Sequence, residues 1–247
     1  MSSSSVVRAL RILQLLASET QPLTLTQIAD QLEMPKATAH GILRDLLSEN
    51  FVEVSAGVAY SIGLRCFEVG SARLREGSDA PLVAPELARL TQKLGVTSHY
   101  AVLDSYDAVY ICKEDPPGLG VRLASQVGAR LPSHLTAVGR ACLAHLDSER
   151  LMEHVNLAVK GLRRRPMTGS ELSLVLEETR QRGYAIDDGE TASGIRCVAA
   201  PLFDGRGCRG AIGVSYLSAA TAEDDPVPGE VVGAARRATK TFGGGLA

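Results

Sequence analysis

The chain has 247 residues and a formal net charge of −2 at pH 7, a length that allows one large domain or two ordinary ones. No apolar run approaches the roughly 20 residues that span a bilayer, and the opening MSSSSVVRAL lacks the apolar core of a secretory signal, so the expected location is the cytoplasm, away from the membrane. The five cysteines (Cys66, Cys112, Cys142, Cys197, Cys208) are odd in number, scattered and without a CxxC pair, which argues against a disulfide framework, a zinc site or any other cofactor.

VVRALRILQLLAS, residues 6–18, is the first expected helix, with an apolar stripe of Val6, Leu10, Leu13 and Ala17, Ile12 and Leu16 alongside, and Arg8 and Arg11 off the stripe. Gln21-Pro22 ends that pattern. Thr24 with Gln27 three residues on spells a capping box for a helix over Leu25–Leu32. Met34-Pro35 is the turn, and Pro35 suits the start of a helix because its missing N–H costs nothing there. The helix Lys36–Ser48 gathers Ala39, Ile42, Leu43, Leu46 and Leu47 on one side. Its opposite side is centred on Ala37, Gly41, Arg44 and Ser48, flanked by Lys36, Thr38 and His40. FVEV, a turn through Ser55-Ala56-Gly57 and VAYSI form a short two-stranded wing without Lys or Arg.

Two helices, a tight turn and a small hairpin are the pattern of a winged helix-turn-helix, whose dominant use is to lay its second helix in the major groove of double-stranded DNA. Residues 1–78 hold seven Lys/Arg against eight Asp/Glu, so no bulk basic field marks this half and the case rests on placement. Gly41 costs roughly 1 kcal/mol relative to Ala in a helix, and small residues at 37 and 41 let a backbone come close to another surface. Arg44 suits a guanine edge or a phosphate, while Lys36, Thr38 and His40 stand near the helix start where phosphate contacts gather. The candidate DNA-contacting residues are therefore Arg8, Lys36, Ala37, Thr38, His40, Gly41 and Arg44.

Residues 63–80 read as a helix running into a Gly/Ser/Asp linker, and Pro81 and Pro85 start a new helix, PELARLTQKLG. β-patterned runs follow: HYAVLD, AVYICKE, GVRLASQ, YAIDD, IRCVAAPLF and GAIGVSYL. Two helices interrupt them, LTAVGRACLAHL and ELSLVLEETRQRG, the latter capped after Ser170; three consecutive arginines in VKGLRRRPMTGS read as a solvated loop. A mostly antiparallel sheet with helices makes this half α+β.

Five blocks, in order, resemble the IclR family of bacterial transcription regulators: RALRILQLLA, IADQLEMPKATAHGILRDLLSENFVE, YSIGLRCFEVG, VGARLPSHLTAVGRACLAHL and DDGETASGIRCVAAPLFDGRGCRGAIGVS. The family usually has glycine where this chain has Glu33, serine at Ala37, arginine at Gly41 and often lysine at Arg140. The resemblance implies a winged helix-turn-helix over 1–62, a linker helix over 63–80 and a GAF-like effector-binding domain over 81–247. It also implies a homodimer or tetramer on a palindromic operator, acting as a repressor that answers to a small metabolite.

Thr136 is placed to cap the helix that begins at Ala137, leaving the N–H groups of Ala137 and Val138 at the positive end of the helix dipole, a place for a carboxylate. By resemblance Asp187, Cys197, Gly213 and Ser215 face the same pocket, with Leu123, Leu131 and Val138 as its walls. The organic acid is the expected effector. Two other readings stay open: a thiol hydrolase built on Cys197 with His134 or His99, and a winged helix that binds protein. Cys197 in an apolar strand also reads as plain core, and Asp187 as a strand end.

Overall fold

The computed structural model describes residues 4–55, 57–75, 79–118, 125–151, 167–218 and 225–243. Leu123, the three arginines at 163–165 and most of the expected strand 120–126 lie outside the described residues. The chain divides into two compact units, 1–78 and 79–247.

In the first unit α1 (Ser5–Ser18) begins at Ser4, whose hydroxyl accepts the Val7 N–H. The stripe that α1 buries is Ile12 and Leu16, with Leu13 and Leu15 beside them. Val6 and Leu10 are exposed, contrary to the expected stripe. The reason is the size of the core: Leu23, Ile28, Leu43 and Val52 reach only the second half of α1. Next come β1 (Leu23–Thr24), α2 (Leu25–Gln31) and α3 (Lys36–Ser48), with both halves of the Thr24–Gln27 capping box formed. The wing strands are β2 (Val52–Ser55) and β3 (Ala59–Ile62), joined through Gly57 at φ 75°. The two-residue β1, too short to show in the sequence, pairs with β3 and brings Leu23 opposite Tyr60. Then α4 runs from Leu64 to Arg75.

The turn between α2 and α3 is closed by two backbone bonds, Met34 N–H to Ala29 O (2.8 Å) and Glu33 N–H to Asp30 O (3.2 Å). That pattern requires its central residue in the left-handed region, and Glu33 adopts φ 49°.

In the second unit the order is α5 (Ala80–Leu94), β4 (Thr97–Asp104), β5 (Asp107–Glu114), β6 (Arg130–Pro132), α6 (Ala137–Leu143), α7 (Gly169–Arg182), β7 (Ala185–Asp188), β8 (Ile195–Asp204), β9 (Gly207–Leu217) and α8 (Val227–Thr241). Among the described residues six strands form one antiparallel sheet in the order β6-β5-β4-β9-β8-β7. One face carries α5 and α8, which bury Leu87, Leu90, Val231 and Ala235 against Tyr100, Val198, Ile212 and Val214. The other face is covered by α6, through Ala137, Val138 and Ala141 against Ala101, Ala185, Ala199 and Ala211.

Four elements depart from the sequence reading. Helix α5 starts at Ala80, with Pro85 inside it; so near the helix start the proline removes one N–H bond and the apolar face continues past it. The cap of α7 is Thr168, in a capping box with Glu171, so the helix begins at Gly169, ahead of the expected start after Ser170. Neither β6 nor α8 was expected, since β6 has three residues and α8 opens on Val-Pro-Gly, a poor helical signal.

Candidate nucleic-acid interface and candidate effector site

Six of the expected DNA contacts stand on α3. Lys36, Ala37, His40 and Arg44 are exposed and Thr38 and Gly41 half-exposed, while Ala39 and Leu43 on the reverse side are buried. Arg8 stands on α1, half-exposed. Arg44 lies 3.4 Å from Asp45, but both side chains are 75% exposed, so water weakens that pair and leaves the guanidinium able to turn to a better partner. No side chain caps α3; Pro35 precedes it, and its carbonyl accepts the N–H groups of Thr38 and Ala39. The N–H groups of Lys36 and Ala37 therefore belong to the unsatisfied first turn, where the helix dipole favours an anion.

The candidate effector residues come together by strand register. Directly opposed residues of neighbouring strands share a face of the sheet. Asp187 pairs with Cys197, Cys197 with Ser215 and Ser215 with Thr97, one polar row across four strands. The adjoining row is Ala185, Ala199, Gly213, His99 and Lys113. Both rows lie on the face that α6 covers, because Ala185 and Ala199 belong to its core cluster.

Asp187 is only 1% exposed and is a strand residue, not a strand terminus. It accepts the Glu190 N–H at 2.7 Å and the Thr191 hydroxyl. Burial, aided by the neighbouring Glu190, pushes its carboxyl up to about 7. Cys197 Sγ lies 3.1 Å from Ser215 Oγ. Burial pushes the Cys197 thiol up to about 12, away from the thiolate that a nucleophile needs. Among the described residues neither His99 nor His134 hydrogen-bonds to it. Nothing here supports the hydrolase reading.

The start of α6 is built as expected. The Thr136 hydroxyl accepts the Gly139 N–H at 3.0 Å, and a Cβ on Gly139 would stand 2.1 Å from the Ser133 carbonyl oxygen, so this turn presses directly on backbone. Leu131, half-buried on β6, packs into the cluster that holds Ala137 and Val138.

Sequence reasoning missed the groups that hold these residues in place. Arg140 is 3% exposed and donates from Nε to His134 O (2.8 Å), from Nη1 to Ile186 O (2.6 Å) and to Glu190 Oε1 (3.3 Å). Glu190 in turn accepts the Asp188 N–H at 2.6 Å. Arg140 thus ties α6 to β7 and to the loop that binds Asp187. A charged residue inside an apolar helix was the available signal. A separate cleft of about 290 Å³ opens beside Leu103, Tyr106, Cys142, Leu146 and Cys208, and none of the expected site residues lines it.

Two family models cover most of the chain: "IclR helix-turn-helix domain" matches residues 5–56 and "Bacterial transcriptional regulator IclR C-terminal" matches residues 80–241. The chain is 33% identical over 207 residues to the transcriptional repressor IclR of Escherichia coli, a match covering 81% of this chain and 74% of that protein. An IclR transcriptional regulator from Alicyclobacillus acidocaldarius shares the fold with a TM-score of 0.80 at 27% identity, over 98% of this chain and 99% of that one. An IclR homolog from Microbacterium hydrocarbonoxydans, crystallised with 4-hydroxybenzoate, also superposes with a TM-score of 0.80, at 21% identity over 97% of this chain and 99% of that one.

Proposed function

The chain belongs to the IclR family of bacterial transcription regulators, and from that premise we propose that it is a cytoplasmic repressor released from its operator by a small organic acid. The observation that carries the acid is the polar row Asp187–Cys197–Ser215 beneath the start of α6. A carboxylate placed there meets the N–H groups of Ala137 and Val138. Burial raises the Asp187 carboxyl, which lessens its repulsion of a carboxylate, and the neutral Cys197 thiol and Ser215 hydroxyl are donors of weak and ordinary strength. Leu131 and Val138 wall the site; Leu123 and Gly213 belong to the same reading. That a protein of the same fold holds 4-hydroxybenzoate, itself an acid, supports this choice.

On the DNA side α3 enters the major groove. Arg44 reads a base edge or a phosphate, Ala37 and Gly41 allow close approach, and Lys36, Thr38 and His40 contact phosphate near the helix start, with Arg8 on the flank. A homodimer, or a tetramer made of two such dimers, has each dimer place two copies of α3 on a palindrome with half-sites about 34 Å apart. The domain limits in this reading are 1–62, a linker over 63–80, and 81–247. The acid acts only to the extent that it binds one arrangement of the dimer more tightly than the other.

The test uses the full-length protein, DNA from upstream of its own gene and a panel of small mono- and dicarboxylic acids. At least one acid should raise the melting temperature and release the DNA. Asp187→Ala and Cys197→Ser should weaken that acid about tenfold and leave the acid-free affinity for DNA unchanged. Arg44→Ala should weaken DNA binding about tenfold, the loss of one good polar contact. Normal acid response in both pocket variants would remove the site from this face of the sheet, and unchanged DNA affinity would remove Arg44 from the interface.

A further inference from the structure

We propose that His99 is a specificity-determining residue of the effector site, selecting acids that carry a second hydrogen-bonding group, a hydroxyl or carbonyl oxygen, away from the carboxylate. The inference rests on the effector reading above and names the class of acid.

His99 stands on β4, opposite Gly213 of β9 on one side and Lys113 of β5 on the other. It is 1% exposed, and its Nδ1 is buried without a hydrogen-bond partner among the described residues. The ring reaches into the space that glycine leaves at 213. A Cβ there would stand 2.8 Å from His99 Nε2, 3.0 Å from Val138 Cγ1 on α6 and 3.1 Å from Ala199 Cβ. The imidazole therefore lies between the sheet and the first turn of α6, one row from Cys197 and Ser215.

The polar neighbours that could satisfy it are occupied with one another. Lys113 Nζ pairs with Asp115 at 2.9 Å, and the Thr97 hydroxyl donates to Asp115 at 2.7 Å. Tyr110 meets the imidazole ring to edge, with centroids 5.1 Å apart. An orphaned buried polar atom is costly, and native proteins keep few of them without a reason. Burial and the nearby Lys113 hold the imidazole neutral, with its pKa lowered to about 3. A neutral imidazole offers one donor and one acceptor. That suits a hydroxyl or a carbonyl and gives no charge for a carboxylate, which goes instead to the start of α6. A site built to hydrogen-bond one group of a ligand discriminates against the analogue that lacks it.

The test is isothermal titration of the full-length protein with matched pairs of acids: 4-hydroxybenzoate and benzoate, 3-hydroxypropionate and propionate, 4-hydroxybutyrate and butyrate. The wild-type protein should bind the hydroxylated member of at least one pair about tenfold or more tightly than its partner. In His99→Leu that ratio should fall below about threefold with the unsubstituted acid little changed, and His99→Asn, which keeps a donor and an acceptor, should restore part of it. Gly213→Ala should also lower that ratio, because its Cβ would stand 2.8 Å from His99 Nε2; the ratio, not the affinity for the unsubstituted acid, is its readout, and it decides the matter if His99→Leu does not fold. A hydroxyl preference that survives both His99→Leu and Gly213→Ala, or acids bound by the wild-type protein with no hydroxyl preference, would overturn the role of His99 and leave the effector site standing. No binding of any acid would overturn the effector reading itself and this inference with it.

Discussion

Glu33 shows how much one residue carries in the DNA-binding unit. At φ 49° it occupies the position that closes α2 and aims α3, a conformation that costs an L-residue with a side chain about 1–2 kcal/mol. Glu33→Gly should remove most of that strain, less the extra freedom glycine has when unfolded, for a net gain of about 1 kcal/mol. Exchange of the buried Ile28 and Leu43 amides should then slow about fivefold; unchanged protection would mean that the turn is held without strain. Glu33 is exposed, so packing does not decide the outcome. Arg44 is the counterpart on the functional side. Its ion-pair partner among the described residues is an equally exposed Asp45, so it contributes little to stability and its removal should register in DNA binding alone.

At the scale of elements, α6 is the piece whose placement makes the effector site. Its seven residues are all buried, far too short a helix to be stable by itself. It is held by the alanine-on-alanine contact with the sheet, by the approach of Gly139 to Ser133, and by Arg140, whose guanidinium reaches two backbone carbonyls and Glu190. Arg140→Met keeps the volume and leaves those acceptors buried without a donor, at a cost of about 3–5 kcal/mol. Arg140→Lys keeps the charge but cannot span the same acceptors, and should cost less than half as much. Urea unfolding of the two variants beside the wild type checks the order; equal losses would show that the fork of donors alone, not the charge, anchors α6. The α6 sequence pointed to a helix and to its Thr136 cap, since both are local. The partners of Arg140 lie 46 and 50 residues away in sequence, and no local pattern joins them.

At the scale of the whole molecule, two buried groups give the second unit opposing responses to pH. The folded pKa of His99 lies at about 3, below the ordinary 6.5, so its contribution to stability is full above 6.5 and is lost as the pH falls toward 3. That of Asp187 lies at about 7, above the ordinary 3.8, so its contribution is full below 3.8 and is lost as the pH rises through 7. Between roughly pH 4 and 6.5 the two slopes, each up to about 1.4 kcal/mol per pH unit, oppose one another. His99→Asn removes one of them. Relative to that variant the wild type should lose stability as the pH falls below about 6.5 and show a constant difference above it. Denaturant titrations across that range measure this, and a difference independent of pH would mean that His99 titrates normally in the folded protein.

The helices of the first unit, the Thr24–Gln27 capping box, the exposed face of α3 and the long strands of the second unit were readable in the sequence, because periodicity, caps and turn residues act within a few positions of one another. The blocks that place the chain in its family were readable for the same reason. The sequence alone, however, put Val6 and Leu10 in the core, began α5 at Pro85 and overlooked α8, since none of these is decided by local preference. Tertiary structure also decided the effector site: only the register of β7, β8, β9 and β4 sets Asp187, Cys197, Ser215 and Thr97 in one row, and only the absence of a side chain at 213 admits His99 beside them. Hydrophobic pattern fixes which face of a strand is buried, but the pairing of residues far apart in the chain follows from packing the whole sheet between its helices.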